Sequence, residues 1–216
     1  MYSSWTGPVP VAFGAGQVCG NSSVGRAQPC QGWGRGFESR FPLCLQVGFA
    51  VVLQHVASDV ATHAVTLSNW KDEKRVRYIG ITHYTSSAYA AVEREMKANP
   101  WDFLQINYSL GERDAEKRLL PLARERKIAV IANRPFAEGA LFSHVKGKPL
   151  PPWAREYDIN TWAQYFLKWI VSHPDVTCTI PGTGRPDHME DNLIAGHGNL
   201  PDAKGRQRLA EYFDGL

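Results

Sequence analysis

This sequence predicts an α/β protein built on a parallel sheet, and three observations carry that reading. Beyond about residue 48, short apolar runs rich in Val and Ile alternate with longer amphipathic segments. The apolar runs are continuous rather than alternating, as expected of strands buried on both faces. No GxGxxG opens a helix after the first of them, so the dinucleotide fingerprint of a doubly wound sheet is missing. The sheet is therefore either doubly wound without that fingerprint or closed into a barrel.

The elements follow in order. Val47–Gln54 (VGFAVVLQ) reads as a buried strand and Thr62–Lys74 as a helix. Val76–His83 (VRYIGITH) is the next strand, followed by a helix over Ser86–Ala98 with Ser86 as its N-cap and Val92 and Met96 on one face. Trp101–Ser109 is a strand, and Asp114–Arg126 a helix burying Leu119, Leu122 and Ala123. Ile128–Asn133 is a strand, followed by a loop containing GKPLPP. Thr161–Ser172 is amphipathic at helical spacing, with Trp162, Phe166, Trp169 and Ile170 on one side. Val176–Ile180 is the last strand, Pro186–Ala195 a short helix and Lys204–Phe213 a terminal one. Five strands are too few for a complete (β/α)8 barrel, which needs about 250 residues.

Bulk properties narrow the function. A net charge of +3 spread over 216 residues, with acids and bases interspersed, points to neither a nucleic-acid nor a membrane-surface protein. The most apolar run, Leu43–Ala57, is interrupted by Gln46, Gln54 and His55 and falls short of the roughly 20 residues of a membrane span. The first basic residue is Arg26, which argues against a secretory leader. Cys19, Cys30, Cys44 and Cys178 form no CxxC pair and read as the free thiols of a cytoplasmic protein. The histidines show no HxxxH spacing, so no metal site is expected.

Residues 1–47 differ in kind. Rich in Gly and Pro, without Lys and without helical or alternating periodicity, they read as an irregular segment. Asn21–Leu43 resembles the translation of a tRNA gene. Ser22–Ala27 back-translates to a D-arm-like AGC TCA GTC GGT AGA GCA, and Gly36–Ser39 to a T-arm-like GGG TTC GAA TCC. On that reading the segment was never selected to fold, and Arg26, Arg35 and Arg40 are not an RNA-binding patch.

Residues 48–216 resemble the aldo-keto reductases through the segments RVRYIGITHYT, PWDFLQINYSLGER, LLPLARERKIAVIANRPFAEGALF, GKPLPPWA and TCTIPGTGRPDHMEDNLIAG. The resemblance implies a partial (β/α)8 TIM barrel, about strands 4–8 with their helices, behind an irregular N-terminal region. It implies a parent enzyme that reduces small-molecule carbonyls with NADP(H). The catalytic Asp, Tyr and Lys of that family belong to the first half of the barrel, so the chain reads as truncated. Only His55 has a counterpart, at the end of strand 4; otherwise it is a loop or core histidine. Tyr2 has no framework that would make it the acid.

For the cofactor, the resemblance places Thr82, His83 and Gln105 at the nicotinamide carboxamide, with His83 departing from the family's Asn. Asn133 stands where an aromatic residue usually stacks on the nicotinamide, and Phe136 is the substitute. Arg134 would meet the pyrophosphate. Gly182, Thr183, Gly184 and Arg185, before a helix opened by Pro186, resemble the binder of the adenosine 2′-phosphate. His188 stands where Arg is common, and Asp191 with Asn192 matches the adenine pair. Singly, each feature is ordinary: Gly-x-Gly turns precede many helices that bind no anion. A non-catalytic NADP-binding or partner-binding half barrel is the alternative. Self-association through open sheet edges is expected of either.

Overall fold

The computed structural model describes residues 51–56 and 59–216, with residues 51–55 described in backbone only. The segment 1–47, with its tRNA-like stretch, lies outside the described residues. Five strands alternate with helices: β1 (Val51–His55), α1 (Val60–Asp72), β2 (Tyr78–Thr82), α2 (Tyr89–Ala98), β3 (Phe103–Asn107), α3 (Leu119–Arg126) and β4 (Ala129–Asn133). After β4 come α4 (Ala140–His144), α5 (Trp162–Val171), β5 (Cys178–Thr179), α6 (Pro186–Ile194) and α7 (Ala203–Asp214).

Every pairing is parallel, and the strand order β1-β2-β3-β4-β5 follows the chain without reversal. A doubly wound sheet reverses its order at a switch point. Unbroken sequential order is the winding of a barrel, and it decides between the two alternatives left by the sequence.

Strand periodicity then sorts the side chains. Ile79, Ile81, Leu104, Ile106, Val130 and Ala132 belong to the large buried core with helix residues such as Val92, Met96, Leu119, Phe166 and Ile170. Each such large side chain, fully buried, contributes about 1.5–3 kcal/mol. The alternate residues form the inner face, where Phe103, Ala129, Ile131 and Cys178 pack together with Tyr78 and Ile180. On this face Phe103 is fully buried and Cys178 only 3% exposed, each packed with side chains of the neighbouring strands.

Helix α5 begins as its sequence indicates: the Thr161 hydroxyl caps it, accepting from the Gln164 amide at 3.1 Å. Ser86 is not a cap; it opens a 3-10 turn (Ser86–Ala88), and α2 starts only at Tyr89. The segment read as one helix over 114–126 is broken at Arg118 (φ −143°), with a 3-10 turn before it. Pro121 explains the position of the break, since proline fits only the first turn, where its missing N–H is not needed. Helix α4 and the turn Pro152–Tyr157 lie where a plain loop was expected. Among the described residues no helix is long and apolar enough to cross a membrane.

Candidate functional site

The parallel register aligns polar residues at the C-terminal ends of the strands. His55 pairs with Thr82, Thr82 with Gln105, and Asn107 with Asn133, so these positions form successive rows on the inner face. A cleft of about 950 Å³ opens above them. That volume lies at the upper end of the range for small-molecule sites. Thr82, Gln105, Asn133, Arg134 and Phe136 form one side, from the ends of three successive strands. Gly182, Thr183, His188, Asp191 and Asn192 form the other, from the last loop and α6. Ten of the residues singled out by sequence therefore share one cleft.

Three others do not line it. His83 accepts a hydrogen bond from the Thr85 amide at Nδ1 (3.2 Å) and stacks on Tyr84 (5.4 Å). That bond places the proton of a neutral ring on Nε2. Gly184 and Arg185 also lie off the wall. Arg185 forms a bidentate pair with Asp187 at 3.1 and 2.5 Å, which raises the arginine and lowers the aspartate from their usual values through hydrogen bonding first. The positive charge expected for a phosphate is thus largely met by a neighbouring carboxylate. The side chain of His55 lies outside the described part of that residue.

The β4 end is held across the top of β3. Asn133 donates through Nδ2 to the His83 carbonyl (3.0 Å), and Arg134 through a terminal guanidinium nitrogen to the Tyr84 carbonyl (2.8 Å). Arg134, Ala137 and Glu138 all adopt left-handed backbone, with φ of 51°, 47° and 56°. Such conformations cost non-glycine residues about 1–3 kcal/mol each and cluster at functional sites. Asn133 Oδ1 is buried without a hydrogen-bond partner, while Arg134 Nε meets only the Glu138 carboxylate, in an ion pair at 3.5 Å. A buried acceptor left open beside a cleft marks a place where a donor-bearing ligand would complete the bonding.

Helix α6 supplies the opposite end. Pro186 occupies its first turn and leaves free backbone N–H groups facing outward along the axis. Arg185 donates its backbone amide to the Thr183 hydroxyl (3.2 Å), which shapes the loop ahead of the helix. The Asp191 carboxylate accepts from Thr161 (2.8 Å) and Gln164 (2.6 Å), so α6 is joined to the start of α5.

Sequence reasoning missed Tyr84, Thr161, Trp162 and Phe142, all on the cleft wall. Helical spacing puts Trp162 on the apolar side of α5, as a core or loop anchor. It is partly exposed, with its indole N–H fixed on the Lys148 carbonyl (3.1 Å). Among the described residues no group of three or more His, Cys, Asp or Glu is placed to hold a metal ion.

Residues 57–207 match the sequence profile of the Aldo/keto reductase family, well over half of the chain. The chain belongs to this family. An NADH-specific methylglyoxal reductase of Escherichia coli is 24% identical over 169 residues, covering 67% of this chain and 51% of that enzyme. The chain thus spans about half the length of this curated relative. Among solved structures, an aldo-keto reductase from Klebsiella pneumoniae in complex with NADPH superposes with a TM-score of 0.62 at 20% identity, covering 78% of this chain and 60% of that one. The apo form of an aldo-keto reductase from Bacillus halodurans superposes with a TM-score of 0.60 at 19% identity over 78% of this chain and 63% of that one. These aldo-keto reductase neighbours cover more of this chain than of their own, as a partial barrel requires.

Proposed function

We propose that this chain carries the cofactor-binding half of an NADP(H)-dependent oxidoreductase acting on small-molecule carbonyls or aldehydes. The observation that supports this most strongly is convergence: Thr82, Gln105, Asn133 and Arg134 from three strand ends face Thr183, His188, Asp191 and Asn192 across one cleft. A cleft lined both by strand ends and by α6 suits a dinucleotide, with its nicotinamide over the strand ends and its adenosine phosphate against α6. When bound, the nicotinamide supplies the hydride for carbonyl reduction. Gln105 presents an amide that both donates and accepts, and Arg134 a charge-assisted donor for the diphosphate.

The preference for NADP(H) rests on the anion-attracting start of α6 and on His188, with Arg185 contributing once it leaves Asp187. The relatives point both ways: the Escherichia coli enzyme is NADH-specific, and the Klebsiella pneumoniae one is seen in complex with NADPH. We further propose that residues 48–216 form the functional unit, without residues 1–47, that it acts in the cytoplasm, and that β1 and β5, the edge strands among the described residues, favour self-association.

The proton donor is a separate matter. The buried hydroxyls of Tyr89, Tyr108 and Tyr165 are engaged by Asn107, Glu116 and the Leu209 carbonyl. Burial raises all three above the ordinary phenol value, the reverse of what an acid needs. These three are therefore unsuited to donate the proton, which favours a second reading, a chain that binds the cofactor without turnover; Tyr84, the tyrosine on the cleft wall, is the phenol left to test.

Fluorescence titration with NADPH and NADH, with an aldehyde-reduction assay beside it, tests the proposal. Saturable NADPH binding is the expected result. Its absence would refute the cofactor assignment, and turnover by this chain would refute the loss of the acid. Translating the DNA around codon 48 in all frames shows whether an Asp, Tyr and Lys that complete the barrel are encoded there.

A further inference from the structure

We infer that Gln164, together with Thr161, is a positioning residue that aims Asp191 at the exocyclic amine of the cofactor base, making the cleft selective for a 6-amino over a 6-oxo purine. The inference rests on the cofactor reading given above and extends it to two residues outside the set matched to the cofactor.

The geometry leaves little freedom. Gln164 is only 2% exposed. Its Oε1 accepts from the Asn160 backbone amide at 2.8 Å, an acceptor-only role that fixes which end of the amide is which. Nε2 must then be the end that meets Asp191 Oδ1, at 2.6 Å. The Thr161 hydroxyl accepts from the Gln164 amide at 3.1 Å as the cap of α5, so its single proton is directed to Asp191 Oδ2, at 2.8 Å. Both carboxylate oxygens are thus held by donors whose orientation is dictated by the start of α5.

A carboxylate has about four lone-pair sites, and these bonds use two of them. The remaining acceptor capacity belongs to a side chain on the cleft wall, beside Asn192, His188 and Trp162. Acceptor capacity fixed in place selects a donor. The amine at position 6 of adenine is one, whereas the carbonyl of hypoxanthine at the same position would face the carboxylate lone pairs. Gln164 does not line the cleft and touches no ligand; its effect passes entirely through Asp191.

The test uses the full chain, with calorimetric titration against NADPH and against its hypoxanthine analogue, deamino-NADPH. Wild type is expected to prefer NADPH by about tenfold, the scale of one hydrogen bond against an unpaired acceptor. Gln164→Leu should reduce that preference to less than threefold. Thr161→Val should do the same, while Thr161→Ser, which keeps the hydroxyl, should retain it. A helix start that merely lost stability would weaken both nucleotides alike and leave their ratio unchanged. If Gln164→Leu does not fold, the Thr161 pair decides. Equal binding of the two nucleotides by wild type, or an undiminished ratio in Thr161→Val, overturns the inference alone. Failure of wild type to bind either nucleotide overturns it together with the cofactor reading.

Discussion

Replacing Lys168 by Met tests how the loop that follows α6 is held. Lys168 lies on α5 and is fully buried, with its ammonium donating to the carbonyls of His197 (2.6 Å) and Asn199 (3.0 Å). Burial lowers its pKa from the usual lysine value, with Asp158 opposing the shift. Two effects compete in Lys168→Met. Removing a buried charge relieves a desolvation cost of several kcal/mol, which is why apolar replacements of buried ion pairs are often neutral. Here, however, the partners are backbone carbonyls that remain after the substitution. Each charge-assisted bond is worth about 1.5–3 kcal/mol, and each stranded carbonyl costs about 1–3 kcal/mol. The second effect wins, for a net loss of about 3 kcal/mol, or roughly 6–12 °C in Tm for a chain of this size. Circular dichroism of wild type and variant under thermal denaturation reads it. A variant within about 1 kcal/mol of wild type, or more stable, would refute the claim that this lysine fastens the loop.

Two further substitutions probe the same region and its neighbour. Gly198 has φ +73°, and a Cβ there would lie 2.3 Å from Asp158 Oδ2, the atom that accepts from the Asn199 amide. Gly198→Ala should therefore cost about 2–3 kcal/mol, seen as a lower urea midpoint with an unchanged m-value. His173 accepts from the Asp175 amide at Nδ1 (3.1 Å), and burial first, then Arg206, lower its pKa from 6.5. Asp175 and Glu116 pull it up and Arg124 down, with the downward influences prevailing. The unfolded chain then takes up the proton first, so stability is full above pH 6.5 and is lost as pH falls through the window beneath it. His173→Asn keeps an acceptor but does not titrate, and it should flatten the fall in Tm between pH 7 and pH 5.

Strands were the most legible part of the sequence, because inner and outer residues alternate under continuous apolar runs and β2, β3 and β4 needed only trimming at their ends. The last strand was read as five residues, yet only Cys178 and Thr179 join the ladder. The flanking Thr177 and Ile180 still donate to β4, to the Val130 (2.8 Å) and Ala132 (3.0 Å) carbonyls, so the five-residue reading marks the stretch that β4 holds. Pro121 and Pro152 were visible start signals whose meaning depended on tertiary placement: one splits a long amphipathic run, the other opens a turn in an apparent loop. In the cleft, the matched motif located Asp191 but not Gln164, whose burial reads as core until its partner is known. Arg185 shows the opposite case: a basic residue beside a Gly-x-Gly turn suggests anion binding, while the adjacent Asp187 competes for it at close range.

The residues lining the cleft run from Thr82 to Asn192 without a contribution from α7. On the proposed reading, the side chains that would grip a coenzyme all fall between residues 82 and 192. Exchanging that one stretch between homologous reductases would then carry those contacts across together.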